Sequence, residues 1–136
     1  HTRLTEQDQE RLEEKRDWMK DHFAEQREES YASLQGKLGL LHEILRSGWV
    51  EPHETWKLQA LGVTLGDALV QHLGMEWRVI EDEHGRSPMI VFEGSGMKVF
   101  PQTMISKRVE AGEDLDVLDL FQGLCKELPR IRDEAD

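Results

Sequence analysis

Cysteine is nearly absent: Cys125 is the single one in 136 residues, so no intrachain disulfide can form. No run of residues is long and apolar enough to span a membrane. Glycine-rich phosphate loops and Walker patterns are missing, which removes the usual nucleotide-binding signatures. There is no internal repeat and no Pro- or Gly-rich linker. Basic charge is also in deficit. Seventeen Lys and Arg face 28 Asp and Glu, a net charge of −11. Such a surface repels nucleic-acid phosphates and anionic headgroups and attracts a basic protein or a cation.

What is present suits one soluble domain of ordinary size. At this length folding buries roughly two-thirds of the unfolded surface, so neither a metal nor a disulfide is needed to hold it together. The acid is uneven. Residues 1–30 hold 6 basic and 10 acidic residues, a net of −4, and residues 113–136 hold 3 and 8, a net of −5. The terminal segments therefore carry solvated acidic faces, which solubility alone would explain. The chain begins at His1 and opens on no signal-type segment. The lone cysteine favours the cytoplasm slightly, and the periplasm is open to a chain whose signal segment was removed before residue 1.

Periodicity predicts an α+β domain: N-terminal helices, a three-stranded antiparallel β-meander, then two C-terminal helices. Residues 1–30 form a charged N-terminal helix, docked or peripheral, and residues 31–136 a single α+β domain. The first helix runs from Thr5, a cap with Asp8 three residues on, to about Glu29, with Leu12, Met19 and Phe23 on a narrow stripe. A second spans Ser33 to Ser47, its stripe Leu34, Leu38, Leu41 and Leu45 flanked by Ile44, with Gly48 as its stop. Pro52 suits the first turn of a third helix, about His53 to Leu73. That helix carries Leu58, Leu61, Leu65 and Leu69, and its paired Gly62 and Gly66 permit close approach of another element. Strands follow at Met75–Ile80, Met89–Phe92 and Met97–Phe100, separated by turns at Glu81–Ser87, which contains His84-Gly85, and at Glu93–Gly96. Pro101 opens a helix that Gly112 stops. Asp116 caps a last helix that Pro129 terminates.

The search for chemistry leaves no residue in a catalytic role. His42-Glu43 and His53-Glu54 begin like a zinc-protease helix, but positions 46 and 57 are Arg46 and Lys57, where a second histidine is required. The run Glu81-Asp82-Glu83-His84 neither alternates its carboxylates nor ends in a distant Glu, so it reads as a solvated acidic turn before a protein-contact patch or a metal site. Gly94-Ser95-Gly96 lacks the nucleophile-elbow spacing. Cys125 falls on the apolar side of the last helix as a small core residue. Lys107-Arg108 is the one basic spot. It holds a carboxylate or phosphate, pairs with nearby acids, or ends a helix where cations are favourable. Trp77 and Trp56 read as core, whereas Trp18 and Trp49 have little apolar company and suit interface anchors. No metal and no cofactor is expected.

The stretch Leu58-Gln59-Ala60-Leu61-Gly62-Val63, Leu65-Gly66-Asp67, Met75-Glu76-Trp77, Glu81-Asp82-Glu83, Gly85-Arg86 and Phe100-Pro101 to Thr103-Met104-Ile105-Ser106-Lys107-Arg108 resembles the bacterial family catalogued as domain of unknown function 3806. The run from Phe100 to Arg108 is its specific part, and the resemblance covers roughly half the chain. It implies a small bacterial domain, often a whole protein, and carries no activity to transfer. Its marks, with Asp67, Trp77, Glu81, Asp82, Glu83, Lys107 and Arg108 as interaction or network residues, suit one ionic network of Asp67, Glu81, Asp82, Lys107 and Arg108 that fixes helix against hairpin.

Two functions from different classes suit this composition. One is a non-catalytic module of the inhibitor or immunity type that binds a basic protein. The other is a small-molecule-binding domain or small enzyme. Its site would lie between the third helix, the meander and the Thr103–Arg108 helix, with Glu81 or Asp82 as base and Lys107 or Arg108 holding an anion. An accessory domain docking through its first helix is a third. Oligomeric state is not readable.

Overall fold

The structure is a computed structural model and describes residues 2–83 and 85–135. His1 and the His84 half of the expected first turn lie outside the described residues. The described chain forms helices α1 (Glu6–Lys20), α2 (Arg27–Ala32), α3 (Leu34–Ser47) and α4 (Thr55–Leu73). Strands β1 (Glu76–Asp82) and β2 (Gly85–Val91) follow, and helices α5 (Pro101–Glu110) and α6 (Val117–Ala135) complete it. The class is α+β. The sheet is a two-stranded antiparallel hairpin.

Helix α4 is the spine. Leu58, Leu61, Leu65 and Leu69 are fully buried at 0% exposure, which their helical spacing foretold, and the other helices pack around it. Burying an aliphatic side chain of this size stabilises by about 1.5–3 kcal/mol, so this stripe organises the core. Gly74 closes the helix in the left-handed region (φ 72°). On α3 Leu41 and the flanking Ile44 are buried as expected, Leu40 joins them, and Leu34, Leu38 and Leu45 are half-buried against the same core. Lys37 also turns inward, its ammonium 2.6 Å from Oε1 of Gln71 on α4.

Four expectations are corrected. The first helix stops at Lys20 instead of running to Glu29, and the chain resumes as α2 after Gln26 adopts a left-handed φ of 51°. Nothing between Asp21 and Gln26 is a local helix breaker. The break is held by tertiary bonds, with Lys20 Nζ 2.9 Å from Glu28 and Arg27 Nε donating to the Lys20 carbonyl. Pro52 lies in the turn before α4, which begins at Thr55. The third strand reduces to one bridge, Val99 to Ile90, with N–O distances of 2.8 and 3.1 Å. Pro101 has no N–H to extend a ladder and already starts α5. Finally, α6 passes through Pro129 to Ala135. Proline removes one intrahelical bond, and Arg130 beside it is clasped by Glu127 and Glu134 on the flanking turns.

Candidate functional site

Three groups of side chains stand out: a polar cluster under α4, a groove beside α5 and an aromatic patch on the surface.

The polar cluster centres on Asp67. Its carboxylate accepts two parallel bonds from Arg16 of α1 at 2.8 and 2.9 Å. It also accepts from the Tyr31 hydroxyl of α2 at 2.5 Å and from the Trp77 indole N–H of β1 at 2.9 Å. Charge-assisted bidentate pairs of this type are among the strongest polar contacts. One carboxylate thereby ties α1, α2 and β1 to α4. Both oxygens of Asp67 are taken, and among the described residues no buried side-chain nitrogen or oxygen lacks a partner. The Tyr31 hydroxyl is held well above the usual phenol range, by burial first and by the Asp67 carboxylate second. Arg16 is raised further into its charged range, since Asp67 outweighs the opposing effect of burial. The cluster is saturated and built for packing.

The expected single ionic network is not assembled. Glu81 lies opposite Arg86 in the hairpin register and pairs with it at 2.6 Å. Arg86 reaches on to Asp8 of α1 at 2.7 and 3.2 Å. Asp8 thus serves two ends, because Thr5 and Asp8 also form the capping box that starts α1. The Arg86 guanidinium holds the Asp8 carboxyl well below the usual carboxylate range, against the opposing pull of burial. Asp82 ends β1, and Glu83 is exposed at the turn. Sequence reasoning missed Arg16, Tyr31 and Asp8 as members of these clusters. They lie outside the diagnostic stretch, and nothing local marks their partners.

The space expected to hold a small-molecule site, between α4, the hairpin and α5, is closed. A Cβ on Gly62 would lie 2.4 Å from the Pro101 carbonyl oxygen, and one on Gly66 would lie 2.7 Å from the Trp77 ring. The paired glycines exist to bring α5 and β1 against α4. Lys107 and Arg108 face away from that contact, into a groove of about 460 Å³ between α5, α6 and residues 97–100. Glu81 and Asp82 do not line it, so the expected base and anion holder are not brought together there.

The aromatic patch gathers three of the four tryptophans. Trp18 on α1 meets Trp56 at the start of α4 edge to face, with ring centres 6.3 Å apart. His22 lies 4.5 Å from Trp18 and stacks on Trp49 at 5.9 Å and 25°. Its Nδ1 donates to the Trp18 carbonyl at 2.9 Å. Lys15 sits 5.6 Å over the Trp56 ring. Burial pulls the Lys15 ammonium below its ordinary range. Trp49 is 53% and Trp56 42% exposed, which corrects the expectation of Trp56 as core and keeps that of Trp49 as under-supported. The apolar spacing of α4 includes Trp56 by adjacency, yet its position in the first turn points it to the rim. Exposed Glu14 and Asp17 lie on α1 near Trp18 in the sequence, exposed Asp21 caps that helix and pairs with Arg27, and exposed Glu51 follows Trp49. Among the described residues no group of three or more His, Cys, Asp or Glu is arranged to hold a metal ion, and no helix is long and apolar enough to cross a membrane.

Residues 37–121 match the sequence model of the family described as Domain of unknown function (DUF3806). No curated protein matches. The fold is similar to a solved structure from Bacteroides thetaiotaomicron VPI-5482, with a TM-score of 0.75 at 18% identity. The likeness covers 92% of this chain and 46% of that one, so this chain spans less than half the length of that neighbour.

Proposed function

The chain belongs to the family of Domain of unknown function (DUF3806), and within it we propose that this protein is a non-catalytic module that binds a basic protein through the Trp18–Trp49–Trp56 patch. The observation that carries the reading is the patch itself. Large aromatic side chains left 53% and 42% exposed forgo burial that a partner would supply. Tryptophan is the residue most enriched among binding anchors. The ring faces attract cations, and Lys15 already occupies one side of Trp56. A partner's arginine or lysine would take the open face of Trp49. The acids around the patch and the net charge of −11 add long-range attraction for such a partner.

The test is affinity capture from a lysate of the source organism at low and at moderate salt, read by mass spectrometry. One basic protein held at near-equal stoichiometry, and released as salt rises, supports the reading. Retention indifferent to salt, an acidic partner or an empty column at both salts overturns it, since exposed charge attraction is screened over about 10 Å at 0.1 M.

A further inference from the structure

The second surface feature is the groove beside α5, and its chemistry is the reverse of the patch. Its rim carries Lys98, Lys107 and Arg108. Its floor is apolar, with Met97 and Met104 on one side and Leu128 and Ile131 of α6 on the other. No carboxylate lines it. Most arginines of this acidic chain are clasped by an acid. Arg16, Arg27, Arg78, Arg86, Arg130 and Arg132 all have a carboxylate oxygen within 4 Å. Among the described residues, none of the three cations on the groove has one. Arg108 spends one N–H on the Met104 carbonyl at 2.8 Å, and Lys98 and Lys107 are exposed. Ile131, on the floor, is 43% exposed. Three cations without an ion pair among the described residues are thus grouped around one concavity that has an apolar lining and no carboxylate.

We propose that the groove binds a single-chain anionic amphiphile, a fatty-acid carboxylate. Its headgroup would sit among Lys98, Lys107 and Arg108, and its aliphatic chain along Met97, Met104, Leu128 and Ile131. Each half of the ligand answers one half of the groove. Charge complementarity fixes the sign of the headgroup, because a cationic amphiphile would meet three like charges. The volume lies within the roughly 300–1,000 Å³ typical of small-ligand sites. It takes an extended alkyl chain more readily than a helix of another protein. Methionine side chains are unbranched and adaptable, which suits a lining that must follow a flexible chain. The site is separate from the tryptophan patch and does not depend on it.

The experiment uses the full chain with ¹³C-labelled methionine methyl groups, titrated with decanoate below its micellar concentration. Saturable shifts at Met97 and Met104 are expected. Decanol and decyltrimethylammonium should bind at least about tenfold more weakly, the loss of roughly one charge-assisted contact. Lys107→Ala with Arg108→Ala should weaken decanoate by a similar factor. Lys98→Gln, an exposed position with no bond to lose, serves as the second variant if the double one unfolds. Four outcomes overturn the proposal. These are no saturable shift, decyltrimethylammonium binding as tightly as decanoate, inorganic phosphate reproducing the response, or shifts confined to Met19, Met75 and Met89, which do not line the groove.

Discussion

Asp67 shows how much a single side chain can organise. It lies on α4, yet its four bonds reach α1, α2 and β1. Asp67→Ala leaves the Arg16 guanidinium, 20% exposed, with only the exposed Glu13 as a countercharge, the Trp77 indole N–H without its acceptor, and the Tyr31 hydroxyl with Thr64 alone. We expect a loss of about 2–4 kcal/mol, below the full cost of breaking a buried pair because the carboxylate keeps 12% exposure. Urea denaturation checks this through the midpoint at unchanged slope. Asp8 supplies a pH test. Arg86 depresses its folded pKa, so in the acid range the unfolded chain binds more protons at this site. Its contribution is complete above the unfolded carboxylate pKa of about 3.9 and is lost as pH falls below it. Asp8→Asn should therefore flatten the acid limb of stability between about pH 4 and pH 2, while stability near neutral pH drops. An acid limb identical to wild type would show that the Asp8–Arg86 pair contributes nothing. At this scale the sequence was half legible. Asp67, Trp77 and Glu81 could be singled out from the family stretch, and the capping box could be read from Thr5 and Asp8. Their partners could not, since Arg16 and Asp67 are 51 positions apart and nothing in a single chain marks which of many arginines will meet which acid.

The helices show where local rules hold and where contacts between elements override them. Gly48, Gly74, Pro101, Gly112 and Asp116 act as their types require, because caps and stops are decided within a few residues. The break after α1 is decided by what packs against it, so the helix-permissive run from Asp21 to Glu29 misleads. The mid-helix glycines separate the two causes. Helix propensity alone says that Gly→Ala stabilises by roughly 0.8–1 kcal/mol anywhere inside a helix. Gly39 on α3 has nothing within 4 Å of an added Cβ, and Gly39→Ala should gain about that amount. Gly62 has the Pro101 carbonyl oxygen at 2.4 Å and the Gln102 backbone at 2.6 Å, which belong to another helix and cannot swing aside. Gly62→Ala should cost about 1–3 kcal/mol through a forced shift of α5. Opposite signs for two chemically identical substitutions, read in parallel thermal or urea unfolding, are the expected outcome. Stabilisation by both would mean that α5 does not approach α4 this closely.

Across the whole molecule, the residues that distinguish the family stretch and those on the open surface fall apart. Gly62, Gly66, Asp67 and Trp77 close the interior. The aromatic patch brings Trp18 of α1 to the turn at Trp49 and the first turn of α4, 31 and 38 positions away, a union that no local pattern announces. Composition indicated a basic partner, and the patch proposes where it docks. The double substitution Trp49→Ala with Trp56→Ala tests this most directly. Both residues are substantially exposed, so stability should fall by only about 1 kcal/mol. Wild type and variant would be compared as bait in the same capture at low salt, with their urea midpoints measured alongside. The expected result is a folded variant that no longer retains the basic partner held by wild type. A folded variant that retains that partner equally well would contradict it.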